Sequence, residues 1–189
     1  MKIKALVALA LVALLGGVGF LYSGLYPIGA DVPHFKLTYW ALETLRDSSV
    51  ARASKDIEVP DLSNPQLLLA GGADYNDMCA ACHLKPGKTK SDMSQGLYPA
   101  PPNLAGSGAA GHDHDAGEGL AQRAQRQFWT IKHGIKASAM PAWGKTHDDK
   151  RIWAMVAFLQ KLPDLNPVQY QIITARRSSD AGHGGSREN

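Results

Sequence analysis

The chain has 189 residues, 44% of them hydrophobic and 20% charged, which leaves room for one domain of about 100–150 residues plus extensions and excludes a second full domain. The net charge of +3 is too small to mark a nucleic-acid binder, and no basic tract interleaved with aromatics is present, so nucleic acid is not an expected partner.

After Lys2 and Lys4, the run from Ala5 to Tyr26 carries no charge and is rich in Leu, Val, Ala and Gly, long enough to cross about 30 Å of hydrocarbon. A cleaved signal peptide has a shorter apolar core of about 7–15 residues, so the segment is expected to be a retained anchor, with Tyr22 and Tyr26 at the interface. The two lysines place the N-terminus in the cytoplasm and the rest of the chain outside it. The expected organisation is an anchor over 1–30, a juxtamembrane amphipathic helix and connector over 31–63, a main domain over 64–163 and a flexible polar tail over 164–189. In the juxtamembrane segment Phe35, Tyr39, Leu42 and Leu45 fall at helical spacing, with Lys36, Glu43 and Asp47 on another face. Its apolar side could rest on lipid, on the protein's own core or on a partner.

The main domain reads as all-α. Asn64 and Pro65 open a helix predicted to run through "NPQLLLAGGADYNDMCAACH", with Leu68, Gly71, Gly72 and Tyr75 on one stripe. Each interior glycine costs about 1 kcal/mol against Ala, so the pair predicts a second backbone crossing there. "DDKRIWAMVAFLQKLP", with Ile152, Met155, Val156 and Leu159 on its stripe and Trp153 and Phe158 beside it, is the expected partner. A third helix spans roughly Ala121 to His133, and Gly134 ends it. The stretch "GLYPAPPNLAGSGAAGHDHDAGEG" is loop, punctuated by Pro and Gly.

"DMCAACHLKPG", residues 77–87, holds both cysteines of the chain, three apart, with His83 directly after the second. Tetrahedral zinc needs four ligands, and with no second CxxC it would have to borrow His83 or the distant His112 and His114. A thioredoxin-like dithiol belongs in a βαβ pattern, absent here, and a Cys79–Cys82 disulfide within helical turns is strained. A covalent haem fits: Cys79 and Cys82 at i, i+3 can hold one porphyrin edge while His83 turns beneath the iron, and export suits the attachment. For the second axial group the candidates are Met140, the other methionines and several histidines. Met140 lies in a loop before Pro141, where a side chain can reach inward. Met155 fits an ordinary core position, and Met78 and Met93 have no comparable context. A thioether opposite imidazole suits electron transfer, since it leaves no vacancy for a substrate.

With "GADYNDMCAACH", "PPNL", "FWTIKHGI", "MPAW" and "WAMVAFLQKLP" following one another in that order, the chain resembles the class I c-type cytochromes over residues 65–163. "MPAW" before a short helix looks most like their membrane-associated, oxidase-linked bacterial branch. The resemblance implies an all-helical fold around one haem c, bound covalently by Cys79 and Cys82 and ligated by His83 and Met140. It also implies that the Pro102 carbonyl meets His83 Nδ1 and that Leu104 packs on the porphyrin, although the loop from His83 to Pro102 is longer than in the smallest members. Trp129 and Trp143 are expected to pack in the haem crevice, with an indole hydrogen bond to a propionate available to them.

"HDHD" at 112–115 is a candidate copper or zinc site as well as a solvated loop. Lys85, Lys88, Lys90, Lys136 and Lys145 are candidates for a basic rim around the haem edge, against scattered solubilising charge. The expected function is single-electron transfer on the outer face of a bacterial cytoplasmic membrane, between a dehydrogenase or quinol-oxidising complex and a terminal oxidase or another cytochrome. The competing readings are a haem subunit integral to a larger respiratory complex and a gas sensor or enzyme with a displaceable sixth ligand.

Overall fold

The computed structural model describes residues 2–106 and 119–176, and every regular element among them is helical. In chain order these are α1 (Lys2–Tyr22), α2 (Lys36–Ser54), α3 (Pro65–Met78), α4 (Ala80–His83), α5 (Asp92–Gly96), α6 (Leu120–His133), a 3-10 turn at Trp143–Lys145, α7 (Asp149–Leu159), a second 3-10 turn at Leu162–Asp164, and α8 (Pro167–Thr174). α1 is long and apolar enough to cross a membrane by length and composition, and none of it is buried.

The frame is the crossing of α3 and α7. α3 starts as its sequence predicts, with the Asn64 side chain accepting from Gln66 N and Pro65 in the first turn. α7 is capped by Asp148, which accepts from Arg151 N. Gly71 touches α7 directly: a Cβ there would stand 2.8 Å from Met155 N and closer still to the Ala154 carbonyl. That close approach is the reason for a glycine inside this helix. One turn further on, Tyr75 and Phe158 stack at a ring-centroid distance of 5.3 Å and a tilt of 42°. Both are fully buried, as are Ile152, Met155, Val156 and Leu162, each contributing about 1.5–3 kcal/mol of burial free energy if aliphatic or Phe-like. Phe158 is thus at the centre of the crossing, as the family resemblance implies.

Three expectations are corrected. The residues from 164 do not all form a polar tail: Asn166 closes a capping box with Gln169, and α8 packs Tyr170 onto Tyr75 and Phe158. A Pro-opened helix of only eight residues carries too few periods to register as an apolar stripe. The connector "KDIEVPDLSN", which reads as polar from its sequence, is not simply so, because Ile57, Val59 and Leu62 pack on the core and Gln125 Nε2 donates to the Ile57 carbonyl at 2.7 Å. The helix of the CxxCH motif does not run unbroken; α3 ends at Met78, Cys79 (φ −113°) caps it, and α4 begins at Ala80. "HDHD" at 112–115 and the chain end from 177 lie outside the described residues.

α2 forms as expected, but its faces are the reverse of a helix packing apolar side inward. Tyr39, Glu43, Arg46 and Asp47 are half-buried, joined by Tyr39 Oη to Glu43 Oε1 (3.2 Å) and Arg46 Nε to Asp47 Oδ1 (2.7 Å). Phe35, Leu42 and Leu45 face outward.

Candidate cofactor site

Despite the break at Cys79, the motif keeps helical spacing. The Cys79 carbonyl accepts from both Cys82 N (3.1 Å) and His83 N (2.8 Å), so Cys79, Cys82 and His83 stay in register across one turn. Both thiols are free. Burial, followed by the nearby Asp74 and Cys82, pushes the Cys79 thiol up to about 12, so it is neutral as the bare chain holds it.

The His83 ring is fixed from one side. Its Nδ1 lies 2.9 Å from the Pro102 carbonyl; a carbonyl only accepts, so Nδ1 carries the proton and Nε2 keeps a lone pair. Burial lowers the imidazole pKa, opposed by the Pro102 bond, which favours the neutral, ligating form. The backbone here is held equally firmly. Leu84 is buried at φ 67°, a left-handed conformation that costs a non-glycine residue about 1–2 kcal/mol. Tyr75 Oη donates to the Leu84 carbonyl at 2.7 Å and to that of His83 at 3.2 Å, while Leu104 N donates to His83 O at 3.1 Å. The Tyr75 hydroxyl was not singled out from the sequence, where Tyr75 reads only as part of an apolar stripe. Ser91, which caps α5, also donates to the Ala81 carbonyl at 2.6 Å and ties the long loop back to the motif.

Met140 comes from the loop after α6, whose end Gly134 fixes. Gly134 sits at φ +66°, and a Cβ there would lie 2.7 Å from the Met140 carbonyl oxygen, so both conformation and space require glycine. Ile135 N donates to Met140 O at 3.1 Å, closing the loop. Met140 and Trp143 pack on a cluster built from Ala124, Phe128, Ile131, Ile152, Met155 and Val156. Leu104 packs on the other cluster, around Tyr75, Phe158, Leu162 and Tyr170; Cys79 and Leu159 contact both. The arrangement therefore places Met140 and the Leu104 side of His83 on separate apolar surfaces that meet at Cys79.

The remaining predicted residues fall as follows. Met155 is a buried core side chain and Met93 is exposed. Met78 lies 3.3 Å from His147 Nε2 through its sulfur. Trp143 contacts His147 as well as the Met140 cluster. Trp129 is half-buried and pairs with His133 at 5.0 Å. Lys85 and Lys88 line a groove of about 660 Å³ between the motif loop and α8, whereas Lys136 and Lys145 are exposed on the Met140 side. No group of three metal-ligating side chains is found among the described residues.

One residue that the sequence did not flag is Arg123, on α6. Its Nε is shut off from solvent and has no hydrogen-bond partner among the described residues. Arg123 lines a cavity of about 650 Å³ together with Val59, Leu62, Leu104 and Leu159. A buried donor left unpaired costs about 1–3 kcal/mol, more when charged, so the site suits an acceptor that the described residues do not supply. A porphyrin with propionate carboxylates meets that need, and the neutral His83, the free thiols and the apolar walls suit its ring and iron. The only sequence signal is an arginine bordering the Ala124, Phe128 and Ile131 stripe, which alone reads as a solvated edge.

Residues 66–159 match the family described as "Cytochrome C oxidase, cbb3-type, subunit III", a span that holds the CxxCH motif, Pro102, Leu104, Met140 and both helices of the crossing. No curated protein and no solved structure matches the chain. The matched domain is one that binds haem c covalently and transfers electrons, and the chain belongs to the class I c-type cytochromes.

Proposed function

We propose that the protein is a membrane-anchored monohaem cytochrome c, held by α1 in a bacterial cytoplasmic membrane with its haem domain on the periplasmic side. Cys79 and Cys82 form the two thioethers, and the single CxxCH motif sets the haem count at one. His83 would supply Nε2 to the iron while the Pro102 carbonyl holds its Nδ1 proton and hence its ring plane. Met140 would supply a thioether as the second protein ligand, and Arg123 would pair with a propionate. Haem c, when bound, supplies a one-electron iron couple. The chain's own work is to keep both axial donors in place in either oxidation state, to exclude water with the two apolar clusters, and to hold the reorganisation on electron transfer small.

The observation that carries the reading is the pinned Met140 loop. Gly134 and the Ile135–Met140 bond leave Met140 packed on the apolar cluster, which supports a filled sixth position and a carrier rather than a site for a substrate. The donor is read as a dehydrogenase or quinol-oxidising complex and the acceptor as a terminal oxidase or another cytochrome. A second reading, a subunit integral to a respiratory oxidase, is favoured by the description of the matching family.

The test is spectroscopic. The oxidised protein should show the weak sulfur-to-iron band at the red end of the spectrum, and the reduced protein should bind carbon monoxide poorly. Met140→Ala should abolish the band, open the iron and lower the potential. Rapid carbon monoxide binding by the wild type would refute the carrier.

A further inference from the structure

We propose that the outward face of α2 is a lipid-contact surface, so that the haem domain lies against the membrane rather than swinging from its anchor; this rests on α1 being that anchor. Phe35, Leu37, Trp40, Leu42 and Leu45 are each at least half exposed, and together they run along more than two helical turns. Three charged side chains of the same helix, Glu43, Arg46 and Asp47, are half-buried and bond one another, while Lys36 and Arg52 are exposed, and α2 packs on α6. A domain surrounded by water gains nothing from that arrangement, and contiguous apolar patches of this kind mark contact surfaces.

What covers the face is indicated by the path of the chain. Phe20, in the last turn of α1, makes an edge contact with Tyr26 at 6.5 Å, and Tyr26 makes another with Phe35 at 5.2 Å. One ring thus separates the end of the spanning helix from the residue that opens α2. Tyr26 Oη also bonds His34 Nδ1 at 2.8 Å, and His34 packs on Tyr98 at 5.2 Å, which ties this junction to the loop leading to Pro102. The connecting segment adds Leu25, Ile28 and Val32, all exposed, so exposed apolar side chains recur from α1 onto α2, with Asp31 and Lys36 the exposed charges among them. Aromatic residues at such a junction, with Lys36 beside them, are suited to the headgroup boundary and its anionic lipids. A protein partner could match the apolar side chains, but it would not account for their recurrence from the spanning helix onward.

The experiment uses the full-length holoprotein in phosphatidylcholine–phosphatidylglycerol vesicles doped with a phospholipid bearing a photoactivated carbene precursor in its acyl chain. Adducts are mapped by mass spectrometry, and a parallel sample is footprinted with aqueous hydroxyl radical. The expected result is lipid adducts on α1 and on Leu37, Leu42 and Leu45 at comparable yield, with background on α6 and α7. Adducts on α1 alone, with α2 open to the radical, overturn the proposal and leave the anchor standing. Adducts on α1 alone, with α2 protected from the radical, assign the face to a second protein or a second copy and also overturn it. Adducts on neither helix overturn the anchor itself. In the triple variant Leu37→Ser, Leu42→Ser, Leu45→Ser, adducts on α1 and the haem spectrum should persist while radical labelling of Phe35 and Trp40 rises; unchanged labelling counts against lipid contact.

Discussion

Replacing Gly71 by alanine tests the α3–α7 crossing on which the His83 side of the site is built. A Cβ at this position would lie 2.8 Å from Met155 N and nearer still to the Ala154 carbonyl, where an ordinary carbon contact is about 3.5–4.0 Å. Both obstacles are backbone, so no rotamer relieves them and the helices must part by roughly 1 Å. Overpacking of this sort costs about 1–3 kcal/mol, occasionally more. A radial gap of 0.5–1 Å also forfeits about a quarter to a half of the dispersion energy along the parted surface, here the Tyr75–Phe158 pair. Alanine gives back about 1 kcal/mol of helix propensity. The expected net loss is about 1–3 kcal/mol, the dispersion loss roughly offsetting the regained propensity. Gly72→Ala is the control, because its Cβ would meet only the edge of the Phe158 ring at 3.1 Å and Ile173 at 3.2 Å, side chains able to yield; its net effect should be within about 1 kcal/mol of zero. Guanidinium unfolding of the holoprotein, followed by far-ultraviolet circular dichroism and haem absorbance, reads both as midpoint shifts at unchanged slope. A Gly71→Ala protein as stable as wild type, or less affected than Gly72→Ala, would refute the reasoning.

Two further outcomes are expected from charged groups. Arg123→Gln should lower the reduction potential, since a buried cation near the haem favours the ferrous state, and Arg123→Lys should recover part of the shift; potentiometry showing no change in either would detach Arg123 from the propionates. Asp74 is buried and is held by Arg151 Nε at 2.6 Å and Nη2 at 2.9 Å, with Arg176 Nη2 at 3.3 Å. Its two partners are less buried, so Asp74→Ala should cost only about 1–2 kcal/mol, whereas Arg151→Ala with Arg176→Ala strands the carboxylate and should cost about 3–5 kcal/mol; chemical denaturation giving the opposite order would overturn this.

What could be read from the sequence was what repeats or carries rare chemistry. The α3 and α7 stripes, the two-glycine crossing and the CxxCH motif announce themselves through spacing, and the Pro102–His83 bond is found where the family resemblance puts it. What could not be read depends on partners distant in the chain. Tyr75 is apolar by periodicity, but its hydroxyl reaches the Leu84 carbonyl, nine residues on. Asp74 looks like a surface charge until the fold buries it, Arg123 until its Nε is shut off from solvent, and α8 is too short to show a period. The placing of α2 was left open for a related reason: amphipathic spacing says that two faces exist but not which one meets the domain, and here the side with Glu43, Arg46, Asp47 and Val50 does.

The two proposed iron ligands depend on different parts of this frame. His83 is steadied by Tyr75 of α3 and by Leu104, so whatever alters the α3–α7 crossing acts first on the imidazole side. Met140 depends on the end of α6, through Gly134 and the Ile135 bond. α6 also packs against α2 and, through Gln125, holds the connector at Ile57. A shift of α2 relative to the domain would therefore reach the thioether side before the imidazole side. If α2 rests on lipid, the strength of the sixth ligand becomes the property most exposed to extraction from the membrane, and the red-end band is where a difference between the detergent-solubilised and vesicle-bound protein should appear.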